Sequence, residues 1–185
     1  MAVGALLVPI ETAPAWSETY SHRDATHDVA GRASDASDYQ RAATNRTVDI
    51  TRVRVIHGST RIRFNVTLRS TSMKTLTTRS LDFKLKTNAA TYFGSWQQSH
   101  GGYTVDRWQA GSGTDVSCDS MRPGRAGRTI WLSFDRSCAG NPRWIRAGVS
   151  VSGQTNKRDF YDLAQSNSWA STSYKNLTPR LRPAA

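Results

Sequence analysis

Residues Arg61-Ile62-Arg63-Phe64-Asn65-Val66-Thr67-Leu68 alternate polar and apolar side chains without a break. That period of two cannot give a helix one dry side, because a helical face repeats every 3.6 residues. It fits a strand with one buried and one wetted face. Ile62, Phe64, Val66 and Leu68 then belong to a core, and Arg61, Arg63, Asn65 and Thr67 to an outer surface. Further strand-like runs occur at 49–56, 81–86, 91–96, 103–108, 129–134 and 144–151. Turn formers separate them: His57-Gly58-Ser59, Gly101-Gly102, Gly111-Ser112-Gly113 and Gly140-Asn141-Pro142. No segment carries a helical apolar stripe over three turns. The expected fold is an all-β, jelly-roll-like antiparallel sandwich of eight to ten strands in a single domain.

The chain has 185 residues, enough to bury a substantial core as one domain. The expected organisation is a signal peptide at 1–15, a loosely ordered segment at 16–45 and the sandwich at 46–185. Within 16–45, one short strand is expected near His27-Asp28-Val29. The leader reading rests on the apolar run Val3–Ile10 followed by Ala13-x-Ala15, a small-residue cleavage pattern. No lysine or arginine precedes that run, so the true start is expected upstream of Met1. No apolar run approaches the ~20 residues of a membrane-spanning helix. Export agrees with the two cysteines, Cys118 and Cys138, which flank the 129–134 strand. They lack the CxxC spacing and local histidines of a zinc site. A disulfide between them is the expectation for an exported domain.

Export also shapes the reading of charge. The formal net charge is +11 and the pI near 10.4. Such a chain is drawn to polyanions without specificity, and the same charge also serves as a solvated face. No helix-turn-helix, zinc-finger or RNP-type signature accompanies it.

The segment Cys138-Ala139-Gly140-Asn141-Pro142-Arg143-Trp144-Ile145-Arg146, with Cys118 as partner, carries a resemblance. Ile62-x-Phe64-x-Val66, Leu81-x-Phe83-x-Leu85 and the opening Asp24-x-x-x-Asp28-Val29 extend it over most of the presumed mature chain. Together these resemble a family of secreted actinobacterial β-sandwich proteins that lack an assigned activity. In outline the chain is similar to jelly-roll carbohydrate-binding and DOMON-like domains. The resemblance implies a secreted sandwich and assigns no chemistry.

Two constellations carry candidate chemistry. Asp24 and Asp28 precede the first core strand, and Asp49 begins it; Asp159 and Asp162 lie near the last strand. First and last strands of a sandwich often end close together. Converged carboxylates would take calcium, which wants six to eight oxygen ligands. Asp24, Asp28 and Asp49 are the first candidates. Aspartate also favours turns at strand ends, so separate surface aspartates satisfy the same pattern.

The second constellation is aromatic and basic. Trp131 falls opposite the core face of its strand, and Trp144 and Arg146 opposite that of theirs. If those two strands are neighbours, Trp131, Trp144, Arg143 and Arg146 share one outer platform. Trp96, Tyr103 and Trp108 would lie nearby. Exposed rings beside arginine suit stacking on sugars and pairing with anionic groups.

Catalytic motifs are absent: there is no G-x-S-x-G, H-E-x-x-H or P-loop pattern. The leading expectation is a secreted non-catalytic module adhering to extracellular polysaccharide or an anionic wall polymer. A secreted protein with a protein partner is the alternative. A hydrolase using Asp106, Asp115 or Asp135 is a third reading, since paired catalytic carboxylates converge in space rather than in sequence.

Overall fold

The computed structural model describes residues 17–100, 102–111, 113, 115–165 and 176–183, with backbone alone for 105–110. The expected leader at 1–15 and the Trp108 and Asp106 side chains lie outside the described residues. The chain forms two antiparallel sheets packed face to face. The strands are β1 (Glu18–Arg23), β2 (Ala30–Ala33), β3 (Gln40–Arg41), β4 (Ile50–His57), β5 (Arg61–Leu68) and β6 (Thr78–Thr87). They continue as β7 (Thr91–Ser99), β8 (Gly102–Ala110), β9 (Arg122–Ala126), β10 (Thr129–Asp135), β11 (Ile145–Gln154) and β12 (Arg158–Leu163). One sheet runs β1-β4-β5-β10-β9 and the other β3-β2-β12-β11-β6-β7-β8. Among the described residues one 3-10 turn occurs, Arg136–Ala139, directly after β10. No helix among the described residues is long and apolar enough to cross a membrane.

The sandwich is therefore as expected, with more strands than the sequence marks. The segment 16–45, expected to be mostly irregular, contributes three of them. The strand expected at His27-Asp28-Val29 begins instead at Ala30, because His27 takes a left-handed conformation (φ 72°) that interrupts extension. Arg122–Ala126, whose Pro123-Gly124 pair is a turn signal in sequence, is edge strand β9. Proline is tolerated there because an edge strand needs only half its ladder bonds. Strand β12, which carries Phe160 and Tyr161, lies inside the sheet, between β11 and β2.

The core follows the alternation. Ile62, Phe64, Val66 and Leu68 are fully buried. Across the sheets Phe64 stacks on Phe83 with ring centroids 4.6 Å apart, and Phe134 joins at 5.8 Å from Phe83. Burying each such side chain stabilises the fold by about 1.5–3 kcal/mol. Cys118 and Cys138 form a disulfide (S–S 2.12 Å) that ties the 3-10 turn to the segment before β9.

Candidate functional site

The outer face of the five-stranded sheet is built by register. Across it, Arg23 pairs with Arg52, Arg54 with Asn65, Asn65 with Trp131, and Trp131 with Gly124. The next row runs Ile56, Arg63, Ser133, Arg122, and Arg61 lies opposite Asp135 beyond it. Residues opposite one another share a face, so Arg23, Arg52, Arg54, Arg61, Arg63 and Arg122 all point outward with Trp131. Asp135 is the one carboxylate among the outward positions of these strands. It is held by Arg61 at 2.9 Å.

The Trp131 ring is half-buried, with the Arg63 guanidinium over it at 4.4 Å. Gly124 lies against it: a Cβ there would stand 2.3 Å from the indole, so only glycine lets the ring lie flat on β9. Beside it opens a cleft of about 490 Å³, lined by Arg61, Arg63, Arg122, Trp131, Ser59 and Thr60. This face can offer planar, permanently charged donors to carboxylate or phosphate, next to an aromatic surface.

The expected tryptophan platform is not formed. Trp131 lies on β10 of one sheet, whereas Trp144 directly precedes β11 of the other. The 3-10 turn carries the chain between sheets, so strands consecutive in sequence are not neighbours. Trp144 is half-buried beneath Arg180, at 4.6 Å. Arg146 donates from Nε to the Thr178 carbonyl (2.9 Å), and Arg143 is exposed, its N–H held by Asn88. Trp96 is fully buried, and Tyr103 stands edge-on to it at 5.2 Å. Of the four residues expected to form the platform, only Trp131 lies on the arginine-rich face.

The outer face of the seven-stranded sheet differs. It holds a polar groove of about 280 Å³ lined by Tyr39, Ser80, Gln97, Gln154 and Tyr161, with Asp159 paired to Arg32 at 3.3 Å.

The carboxylates do converge, with a change of membership. Carboxylate oxygens of Asp24, Asp28 and Asp162 all lie within 4.8 Å of one another. Asp24 follows β1, where its N–H extends the ladder to the Thr51 carbonyl (3.1 Å). Asp28 precedes β2. Asp162 comes from β12, opposite Val151, and so points into the sandwich. Its Oδ2 accepts the Ile50 N–H at 2.6 Å. Asp49 is fully buried beside the cluster, but its Oδ2 is engaged by Arg69 (2.7 Å) and the His27 N–H (3.1 Å). Asp159 faces the opposite surface.

Burial is the main cause of the cluster's electrostatics. It pushes Asp24 up to about 7, with the Asp28 charge adding to it. It pushes Asp162 up to about 9, and the charges of Asp28, Asp24 and Asp49 add further. Asp28 is raised for the same first reason, with Asp49 contributing. Asp28 Oδ1 and Oδ2, Asp24 Oδ2 and Asp49 Oδ1 are buried without a hydrogen-bond partner. Such groups are costly unless something charged meets them.

Fold and sites define a disulfide-tied antiparallel β-sandwich with a cationic outer face and a buried acidic pocket. Comparison with known protein families, with characterised proteins and with solved structures finds no match.

Proposed function

We propose that this protein is a secreted, non-catalytic module that adheres to an anionic extracellular polymer, a charged polysaccharide or wall polymer. The binding surface is the outer face of the five-stranded sheet. The observation that carries this reading is the placing of six arginines on the same sheet face as Trp131, three of them lining the cleft beside it, with Asp135 as the one outward carboxylate of these strands, itself neutralised by Arg61. A solvated sheet face needs charge of either sign; a face of nearly one sign attracts polyanions. Arginine pairs bidentately with carboxylate and phosphate, and the indole gives a flat surface for a sugar ring. Secretion is supported by the disulfide, which persists in oxidising compartments.

The test is a pull-down on insoluble cell wall, chitin and cellulose at low and high salt. Binding to the anionic wall should exceed binding to the neutral polymers and weaken as salt rises. It should fall several-fold in Trp131→Ala and in Gly124→Ala, which displaces the ring without removing it. Equal binding to neutral polymers, indifferent to both variants, would refute the reading and turn attention to the polar groove on the opposite sheet.

A further inference from the structure

We infer that Asp24, Asp28 and Asp162 form a calcium site that clasps the N-terminal segment to the sandwich. Three observations converge on it. The first is geometric. Calcium holds its oxygens at about 2.3–2.6 Å, so ligands on opposite sides of the ion stand roughly 4.6–5.2 Å apart. Three carboxylates from different parts of the chain whose oxygens all fall within 4.8 Å of one another match a single coordination sphere.

The second is the state of Asp28. This residue is 8% exposed, yet neither of its carboxylate oxygens has a hydrogen-bond partner. Asp24 Oδ2 and Asp49 Oδ1 are likewise buried and unmet. Of the cations nearby, Arg69 is bonded to Asp49, and Arg41, whose charge Asp28 feels without a bond between them, donates from Nε to the His27 carbonyl. Neither guanidinium bonds Asp24, Asp28 or Asp162, so a divalent cation is what would let these three buried carboxylates be ionised together.

The third is the donor chemistry. All three candidate ligands are hard oxygens, which select calcium over thiophilic metals. Magnesium asks for closer, stricter octahedral geometry near 2.0–2.1 Å. His22 Nε2 stands 3.8 Å from Asp24 Oδ1, outside the three-carboxylate set.

The topology gives the ion a structural role. Asp24 follows edge strand β1 and Asp28 leads into β2, while Asp162 belongs to interior strand β12. An ion shared by them joins both sheets at the point where the chain passes from one to the other. Binding only to the folded state would raise the melting temperature by mass action.

The experiment uses the purified protein stripped with chelator. Calorimetry should show one calcium bound per chain. The melting temperature should rise by about 5–10 °C at a calcium concentration a hundredfold above its Kd. Magnesium should give a smaller rise at the same concentration. Asp28→Asn should abolish the calcium response while leaving the stripped protein at least as stable as wild type, since the variant loses no protein hydrogen bond and one buried charge. A merely structural aspartate would instead destabilise the stripped protein. Terbium luminescence on wild type, displaced by calcium, provides a readout independent of any variant. No calcium-dependent shift and no terbium signal would overturn the site. A full calcium response in a folded Asp28→Asn would overturn its location. Stabilisation by zinc but not calcium would overturn the identity of the ion.

Discussion

Trp131 and Phe64 stand on neighbouring strands and face opposite sides of one sheet, so truncating each to alanine separates surface from core. Phe64 is fully buried and stacked against Phe83 at 4.6 Å, with Phe134 at 6.1 Å. Removing such a ring costs about 3–5 kcal/mol, from lost transfer energy and the cavity left between the sheets. Trp131 is half-buried; its main specific contact is the Arg63 guanidinium at 4.4 Å, worth about 0.5–1 kcal/mol in partly exposed settings. Trp131→Ala should therefore cost about 1 kcal/mol. For a chain of this length each kilocalorie moves the melting temperature by about 2–4 °C. Phe64→Ala should then fall by about 6–20 °C and Trp131→Ala by about 2–4 °C. Urea unfolding, with the m-value checked for constancy, measures both. A loss of 3 kcal/mol or more from Trp131→Ala would make the ring part of the core, and the binding-face argument would fail with it.

The disulfide closes a loop between residues 20 apart in sequence, worth about 3 kcal/mol in the chain-entropy model. Cys118→Ser with Cys138→Ser should lose that much in denaturant unfolding, and the wild type should show no thiol to a labelling reagent; a neutral double variant would show that the crosslink does not stabilise. His57 is fully buried, with Nδ1 3.0 Å from the Leu181 carbonyl, so Nδ1 carries a proton and donates it there. Burial holds its pKa below the ordinary 6.5, with Arg136 acting the same way against the Leu181 bond and Glu18. The unfolded chain therefore takes up this proton at higher pH than the folded one, and the stabilisation present above 6.5 is lost as pH falls. The stability advantage of wild type over His57→Asn should narrow between pH 7 and pH 5; a constant gap would refute the assignment.

The long inner strands β4, β5, β6, β10 and β11 were legible because each carries its own period of two. The alternation in Arg61–Leu68 also placed Arg61 and Arg63 outside. The edges were less legible. Strand β1, Glu-Thr-Tyr-Ser-His-Arg, buries no residue fully, so its sequence carries little apolar signal. In β9, Pro123 and Gly124 read as turn residues, yet the proline sits at an edge and the glycine lies under an indole. The pairing of Trp131 with Trp144 failed for a topological reason. Alternation fixes which face of a strand a residue occupies but not which strand lies beside it. Strand β10 pairs with β5 and β9, and β11 with β6 and β12.

The acidic pocket shows where such reading stops. Convergence of the chain's first and last strands was foreseeable, and Asp24 and Asp28 were named from it. The choice among Asp49, Asp159 and Asp162 was not, because it depends on register and on partners. Asp159 and Asp162 are three residues apart on one strand, so they must face opposite sides. Only the register says which faces inward: Asp162 lies opposite Val151, whose side is the core, and Asp159 opposite exposed Gln154. Asp49 points inward too, but Arg69, itself outside any motif, has already bonded it. What marks the pocket is thus a buried carboxylate, Asp28, that no protein group meets. A sequence lists the charges a chain carries; which of them the fold leaves unanswered depends on every strand that packs around them.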